Sequence, residues 1–289
     1  MPTAPPLPAL VRGVVQMVAA TVLFVGMNAT AKVLSPLLPA VEVVWARSAG
    51  HLVFIVALLG PRYGWWRLFE TNDLRLQIAR SVLQVSSQML FFSAIGHVPL
   101  AEATTVSFTA PLIVAALAGP LLAERVSPGH WAAIGAGFAG ALIVIRPGGS
   151  MNPSLLLILG SSVCYALYQL LTRRAAAFDR PETSVTYSAL VGTLLLSLLV
   201  PFHWTTPRGV WPWVGLVTLG VLGGLGHYLV AHAFAAAAAS IISPFHYVQL
   251  VWAAALGYVV FGDVPSGFTW LGATVIIASG LFIATTKAR

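Results

Sequence analysis

The chain has 289 residues, of which 58% are hydrophobic and only 8% charged, with a formal net charge of +7 and a mean hydropathy of +0.88. A soluble domain carries about 25% charged residues, so the composition excludes a soluble globular protein and indicates an integral membrane protein. The basic residues lie between hydrophobic blocks, where they set orientation and exclude a nucleic-acid partner, and the single cysteine, Cys164, excludes an internal disulfide.

At roughly 20 residues per crossing, ten hydrophobic blocks are predicted, at about 11–33, 40–60, 77–97, 101–122, 129–146, 153–173, 183–202, 211–234, 237–261 and 267–286. The tail, residues 1–10, is short and uncharged. The run that follows Arg12 is too long for a signal peptide's apolar region and has no evident cleavage site, so it reads as the first span.

In chain order, Asn28 sits well inside the first span. Arg47, about two turns into the second, needs a partner: a substrate carboxylate, Glu42 or Glu102 at an outer gate, or lipid phosphate reached by snorkelling. In the third, Arg80, Gln84, Gln88 and Phe91 recur at helical spacing, and that face is expected to look into a cavity. Their bland reading is packing glue between helices. In the sixth span Gln169 is flanked by Tyr165 and Tyr168. The fifth, with Ala133, Gly137 and Ala141, reads as a packing helix, like the tenth between Gly272 and Gly280.

His227 and His232 in the eighth span are five apart, about 140° round a helix, which argues against a metal pair. His227 is either a proton-coupling group or a hydrogen-bonded core residue. The stretch from Ala235 to Asp263 carries Ser243, Pro244, His246, Tyr247, Gln249 and Trp252 in its first half. Burying them in hydrocarbon costs several kcal/mol unless they face protein or a wet cavity. Its second half, with Ala253 and Gly257 four apart, reads as a close-packing face. Glu124 and Asp263 close their spans as helix-end or gate residues.

Arg12, Arg62, Arg67, Arg75, Arg125, Arg173, Arg174, Arg180, Lys287 and Arg289 fall on one side of a ten-span topology, against Lys32, Arg146 and Arg208 on the other. Both termini are then expected in the cytoplasm. The second half can also be laid on the first with an offset of about 139 to 142 residues. Asn28 then meets Gln169, Lys32 meets Arg173, Gly50 meets Gly192, Gln88 meets His227, Ser107-Phe108 meets His246-Tyr247, and Glu124 meets Asp263. Five spans per unit is odd, so the copies insert in opposite senses, an arrangement associated with alternating access and a substrate site near the midplane.

Two five-span halves, each with a proline-interrupted span, an acid and a Gly-spaced last helix, resemble the EamA family of the drug/metabolite transporter superfamily. SPFHYVQLVWAAALGYVVFGD is similar to that family's ninth span, and Pro111 through Glu124 to its fourth. In length and layout the chain resembles the YddG-type bacterial amino acid exporters. The resemblance implies an all-α membrane protein of ten transmembrane helices in two inverted repeats, expected at 11–148 and 149–289. It implies a bacterial inner-membrane carrier that exports amino acids.

The expected substrate-binding set is Asn28, Gln84, Gln88, Tyr165, Tyr168, Gln169, His227, His246 and Tyr247, supplied mainly by spans one, three, four, six, eight and nine. Spans broken near Pro111 and Pro244 are expected to move. The rival readings are uptake of a bulky metabolite such as a vitamin or nucleoside derivative, and a membrane-embedded lipid-modifying enzyme. No HExxH, GxGD or GxSG motif and no P-loop is found, so no enzyme activity, cofactor, metal or ATP-driven step is expected. The partners expected are a small-molecule substrate and membrane lipid, with a monomer assumed and oligomers left open.

Overall fold

The structure is a computed structural model that describes residues 7–122, 127–147, 151–236 and 242–286. Glu124, Arg125, Lys287 and Arg289, and the side chains of Ser243 and Pro244, lie outside what is described. Among the described residues there is no strand, and ten helical columns match the ten predicted blocks. They are α1 (Leu7–Leu34), α2 (Ala40–Tyr63), α3 (Leu74–Ile95), a broken column of α4 (Leu100–Ser107) and α5 (Ala110–Leu122), and α6 (Pro128–Ile145). The second half comprises α7 (Ser154–Ala175), α8 (Pro181–His203), α9 (Val210–Ala236), a second broken column, and α11 (Gly267–Thr285). That second broken column is a 3₁₀ segment at Ser243–Val248 running into α10 (Gln249–Phe261).

Eight of these columns are long and apolar enough to cross a bilayer, and Phe245–Phe261 adds a shorter apolar one. The remaining column, α3, is less apolar because it buries Gln77, Arg80, Ser81, Gln84 and Ser87 on its inner faces. Large hydrophobic side chains such as Val53, Phe202, Val217 and Val259 point outward, as expected where the surrounding solvent is lipid.

Neighbours are exchanged between the halves in a two-fold pattern. α1 packs along α9 as α7 packs along α3; α2 meets α9 as α8 meets α3; α2 meets α8, and α6 meets α11, across the pseudo-axis. This pairing follows from the repeat, because like sequences present like faces. Small residues permit the closest crossings: a Cβ added to Gly50 of α2 would lie 2.8 Å from the Gly220 Cα of α9, and one on Gly140 of α6 would lie 2.9 Å from the Gly272 carbonyl oxygen of α11. Spans five and ten pack on each other as expected, with Gly140 and Gly272 at the contact, although span ten also lines the cavity described below. Matched caps begin those two helices: the hydroxyls of Ser127 and Ser266 accept from the backbone N–H of His130 and Thr269.

Arg80 departs from expectation. It is 1% exposed and does not line the cavity. Its guanidinium donates to Thr172 Oγ1 at 2.9 Å, Gln77 Oε1 at 2.9 Å, the Ser184 carbonyl at 2.7 Å and Tyr168 Oη at 3.1 Å, tying α3, α7 and α8. A buried charge is tolerated when its donors are satisfied in this way.

Just beyond α7, the Asp179 carboxylate accepts from the Thr71 hydroxyl, the Asn72 backbone N–H at 2.7 Å, and Gln77 Nε2 at 2.8 Å. Burial alone would push this carboxyl up, but the Asn72 N–H and the side chains of Gln77, Thr71 and Asn72 outweigh it and hold it below the usual carboxylate range. A depressed carboxyl stabilises the fold above its unfolded value and loses that contribution as pH falls through its folded value. The melting temperature of detergent-solubilised protein is therefore expected to fall below about pH 4. In Asp179→Asn it should be lower at pH 7 and fall less on acidification, and an unchanged acid limb would contradict this role.

Candidate functional site

Both broken columns break at positions that the repeat matches. α4 stops at Ser107, Phe108 and Thr109 form a turn, and α5 resumes at Ala110; in the other half the 3₁₀ turns give way to α10 after Val248. Irregular backbone at membrane depth persists only where it faces protein or lines a cavity. The matched rings Phe108 and Tyr247 meet edge to face, with centroids 5.0 Å apart.

Around these breaks lies a cavity of about 500 Å³. Asn28, Gln84, Gln88, Tyr165 and Gln169 line it, together with His227, His246 and Tyr247. Eight of the nine residues expected at a substrate site are thus brought to one space. The exception is Tyr168, which stacks behind Tyr165 at 5.7 Å and accepts from Arg80, so it forms a second layer. The expected six spans contribute to the wall, and α2 joins them through Arg47 and α11 through Gly280. Phe24, Phe91 and Phe108 widen the aromatic surface.

The polar groups are unevenly satisfied. Ser87 and Ser161, facing each other across α3 and α7, hydrogen-bond at 2.9 Å. The Oε1 atoms of Gln84 and Gln88, one turn apart on α3, are buried with no hydrogen-bond partner. Both amides line the cavity, and turned about its last bond each can offer it a donor or an acceptor. Arg47 is 5% exposed; its Nε lies 3.2 Å from Met27 Sδ and its Nη2 3.5 Å from His227 Nε2. A guanidinium only donates, so in this long contact His227 Nε2 stands on the accepting side. His51 stacks parallel on His227, with centroids 5.3 Å apart, and Phe24 meets it edge-on at 5.1 Å.

The pairing of Arg47 with Glu42 or Glu102 is corrected. Glu42 is fully buried and takes the backbone N–H of Thr205 at 3.1 Å. Five residues of helix separate it from Arg47, which turns the two side chains about 140° apart. Glu102 accepts from Thr269 Oγ1 at 3.2 Å and lies 3.7 Å from Arg146 Nη2, at the end of the bundle where α11 begins. Asp263 also has a basic partner: Lys32 Nζ lies 2.6 Å from its carboxylate and donates to the Val98 carbonyl at 2.9 Å, joining the ends of α1 and α10. Met27 and His51 were missed as neighbours of the site, although His51 follows Arg47 by one helical turn and so shares its face.

Comparison with known proteins resolves the lineage. A family model described as the EamA-like transporter family matches residues 11–146 and again residues 152–285. The chain belongs to this family. It is a membrane transporter rather than an enzyme. A riboflavin transporter of Vibrio cholerae is 32% identical over 257 residues, 87% of this chain and 86% of that one. The pseudopaline exporter CntI of Pseudomonas aeruginosa strain UCBPP-PA14 is 28% identical over 95% of this chain and 96% of its own. An S-adenosylmethionine uptake transporter of Rickettsia bellii is 27% identical over 76% of each. One protein of known crystal structure shares the EamA fold at a TM-score of 0.67, over 94% of this chain and 96% of that one, with 20% identity.

Proposed function

We propose that this EamA protein carries a bulky aromatic metabolite of the riboflavin type across the cytoplasmic membrane by alternating access, with the substrate held in the central cavity. The observation that carries this reading is the wall itself: aromatic and imidazole rings from both halves surround the side-chain amides of Asn28, Gln84, Gln88 and Gln169. Ligand cavities of roughly 300 to 1,000 Å³ suit drug-sized molecules, and about 500 Å³ falls within that range. Gln84 and Gln88 would take N–H or O–H groups on the edge of a heteroaromatic ring, while Phe24, Phe91, Phe108 and Tyr247 would hold its faces. The likeness to the riboflavin transporter of Vibrio cholerae points the same way.

Amino acid export, expected from the resemblance to YddG-type exporters, has weaker support. A zwitterion needs an anionic partner for its ammonium group, and none of the described residues lining the cavity is acidic. None of the three named relatives is named for a simple amino acid. On the topology inferred from the basic residues, the Lys32–Asp263 pair closes the outer end, while the lining residues Ile283 and Ala284 extend the cavity toward the cytoplasm.

Purified protein in liposomes should take up labelled riboflavin saturably, with excess unlabelled riboflavin suppressing the flux and amino acids leaving it unchanged. Flux of labelled amino acids without riboflavin flux would replace this reading with the exporter. In the double variant Gln84→Leu and Gln88→Leu, KM is expected to rise about tenfold or more, since each lost hydrogen bond contributes about 1 kcal/mol. An unchanged KM would remove both amides from the site.

A further inference from the structure

The charge balance of the cavity deepens the transport reading on which it rests. Arg47 is always protonated and lines the space, yet among the described residues no carboxylate lies within ion-pair distance of it. Its two contacts, Met27 Sδ and His227 Nε2, carry no negative charge to offset it. A buried cation without a counter-ion is costly in the membrane interior, where low dielectric also strengthens its attraction for any anion that arrives. On α3, the lining amides Gln84 and Gln88 are uncharged, and Ser87 is already engaged with Ser161.

We propose that Arg47 is a charge filter: it binds an anionic or strongly accepting group of the substrate, and its unneutralised charge excludes permanent cations from the cavity. The substrate class is then an aromatic molecule with donor groups at one edge and a carboxylate, phosphate or electron-rich carbonyl at the other. An aromatic cation that carries no such accepting group is excluded.

The experiment uses two aromatic probes of like size and opposite charge, indole-3-acetate and tryptamine, with thermal unfolding of the purified full chain in a neutral detergent. A ligand that binds the folded state raises the melting temperature by an amount that grows with the logarithm of its concentration relative to its Kd. Indole-3-acetate is expected to stabilise the protein and tryptamine to have at least about tenfold weaker apparent affinity. Arg47→Gln should abolish the difference and Arg47→Lys keep its direction. Equal shifts from both probes, no shift from either, or an undiminished preference in Arg47→Gln would overturn the filter. If Arg47→Gln does not fold, the contrast in the unsubstituted protein decides.

A parallel titration with riboflavin separates the two readings. Charge preference without riboflavin binding would leave the filter standing and sink the proposed substrate. Riboflavin binding with equal response to the two probes would do the reverse.

Discussion

Arg80→Ala is expected to remove most of the folded protein. The guanidinium bridges three helices, with α3 bearing it, α7 contributing Thr172 and Tyr168, and α8 contributing the Ser184 carbonyl. Truncation leaves several buried polar groups without a donor, each costing about 1 to 3 kcal/mol, so a loss of at least about 3 kcal/mol is expected, much of the margin of a typical domain. The measurement is the monodisperse fraction on size exclusion together with the melting temperature in detergent. Arg80→Lys keeps the charge but not the fork of donors, so it should fall between the unsubstituted protein and the alanine variant. An alanine variant with the unsubstituted protein's melting temperature would show that the network contributes nothing.

The second large effect is expected at the crossing of α2 and α9. Gly220→Val would force apart backbones that meet with no room for a side chain, since a Cβ at Gly220 would lie 2.5 Å from the Gly50 Cα. Overpacking against side chains costs about 1 to 3 kcal/mol, and a rigid backbone gives less. The crossing also sets the distance between Arg47 on α2 and His227 on α9, so any variant that still folds should transport poorly. Gly160→Ala is the control, because a Cβ there meets only Leu90 Cδ1, at 3.5 Å, an ordinary contact. Equal melting temperatures and equal flux for the two variants would contradict this account.

The helices and the site were legible to different depths. Hydropathy located the ten blocks, because hydrocarbon demands apolar runs, although α3, with its buried polar faces, is not among the eight helices apolar enough to cross a bilayer. The repeat register brought Asn28 with Gln169, and Gln88 with His227, to the same space, because a pseudo-two-fold axis carries equivalent residues to the same depth. Side-chain partners across helices were harder to read. Arg80 shares a helical face with Gln84 and Gln88, yet it lies one turn nearer the end of α3, where Tyr168 and Ser184 close over it. Glu42 and Arg47 look like partners in sequence, but helical rotation separates them. Asp263 was read as a span-closing residue and Lys32 lay on the less basic side, whereas their pairing depends on the approach of α1 to α10, which no local pattern records. The substrate was least legible, since relatives that match most of this chain are named for riboflavin, pseudopaline and S-adenosylmethionine.

The exchange of neighbours between the halves bears on how the chain is made. Helices enter the bilayer in order of synthesis, so α1 must wait for α9, and α3 for α7, before either finds its main packing surface. Meanwhile the cavity-lining side chains Arg47, Gln84 and Gln88 are not yet enclosed by the helices of the second half. The newborn first half is thus a poor membrane solute on its own, dependent on prompt arrival of the second or on an insertase that shelters its polar faces.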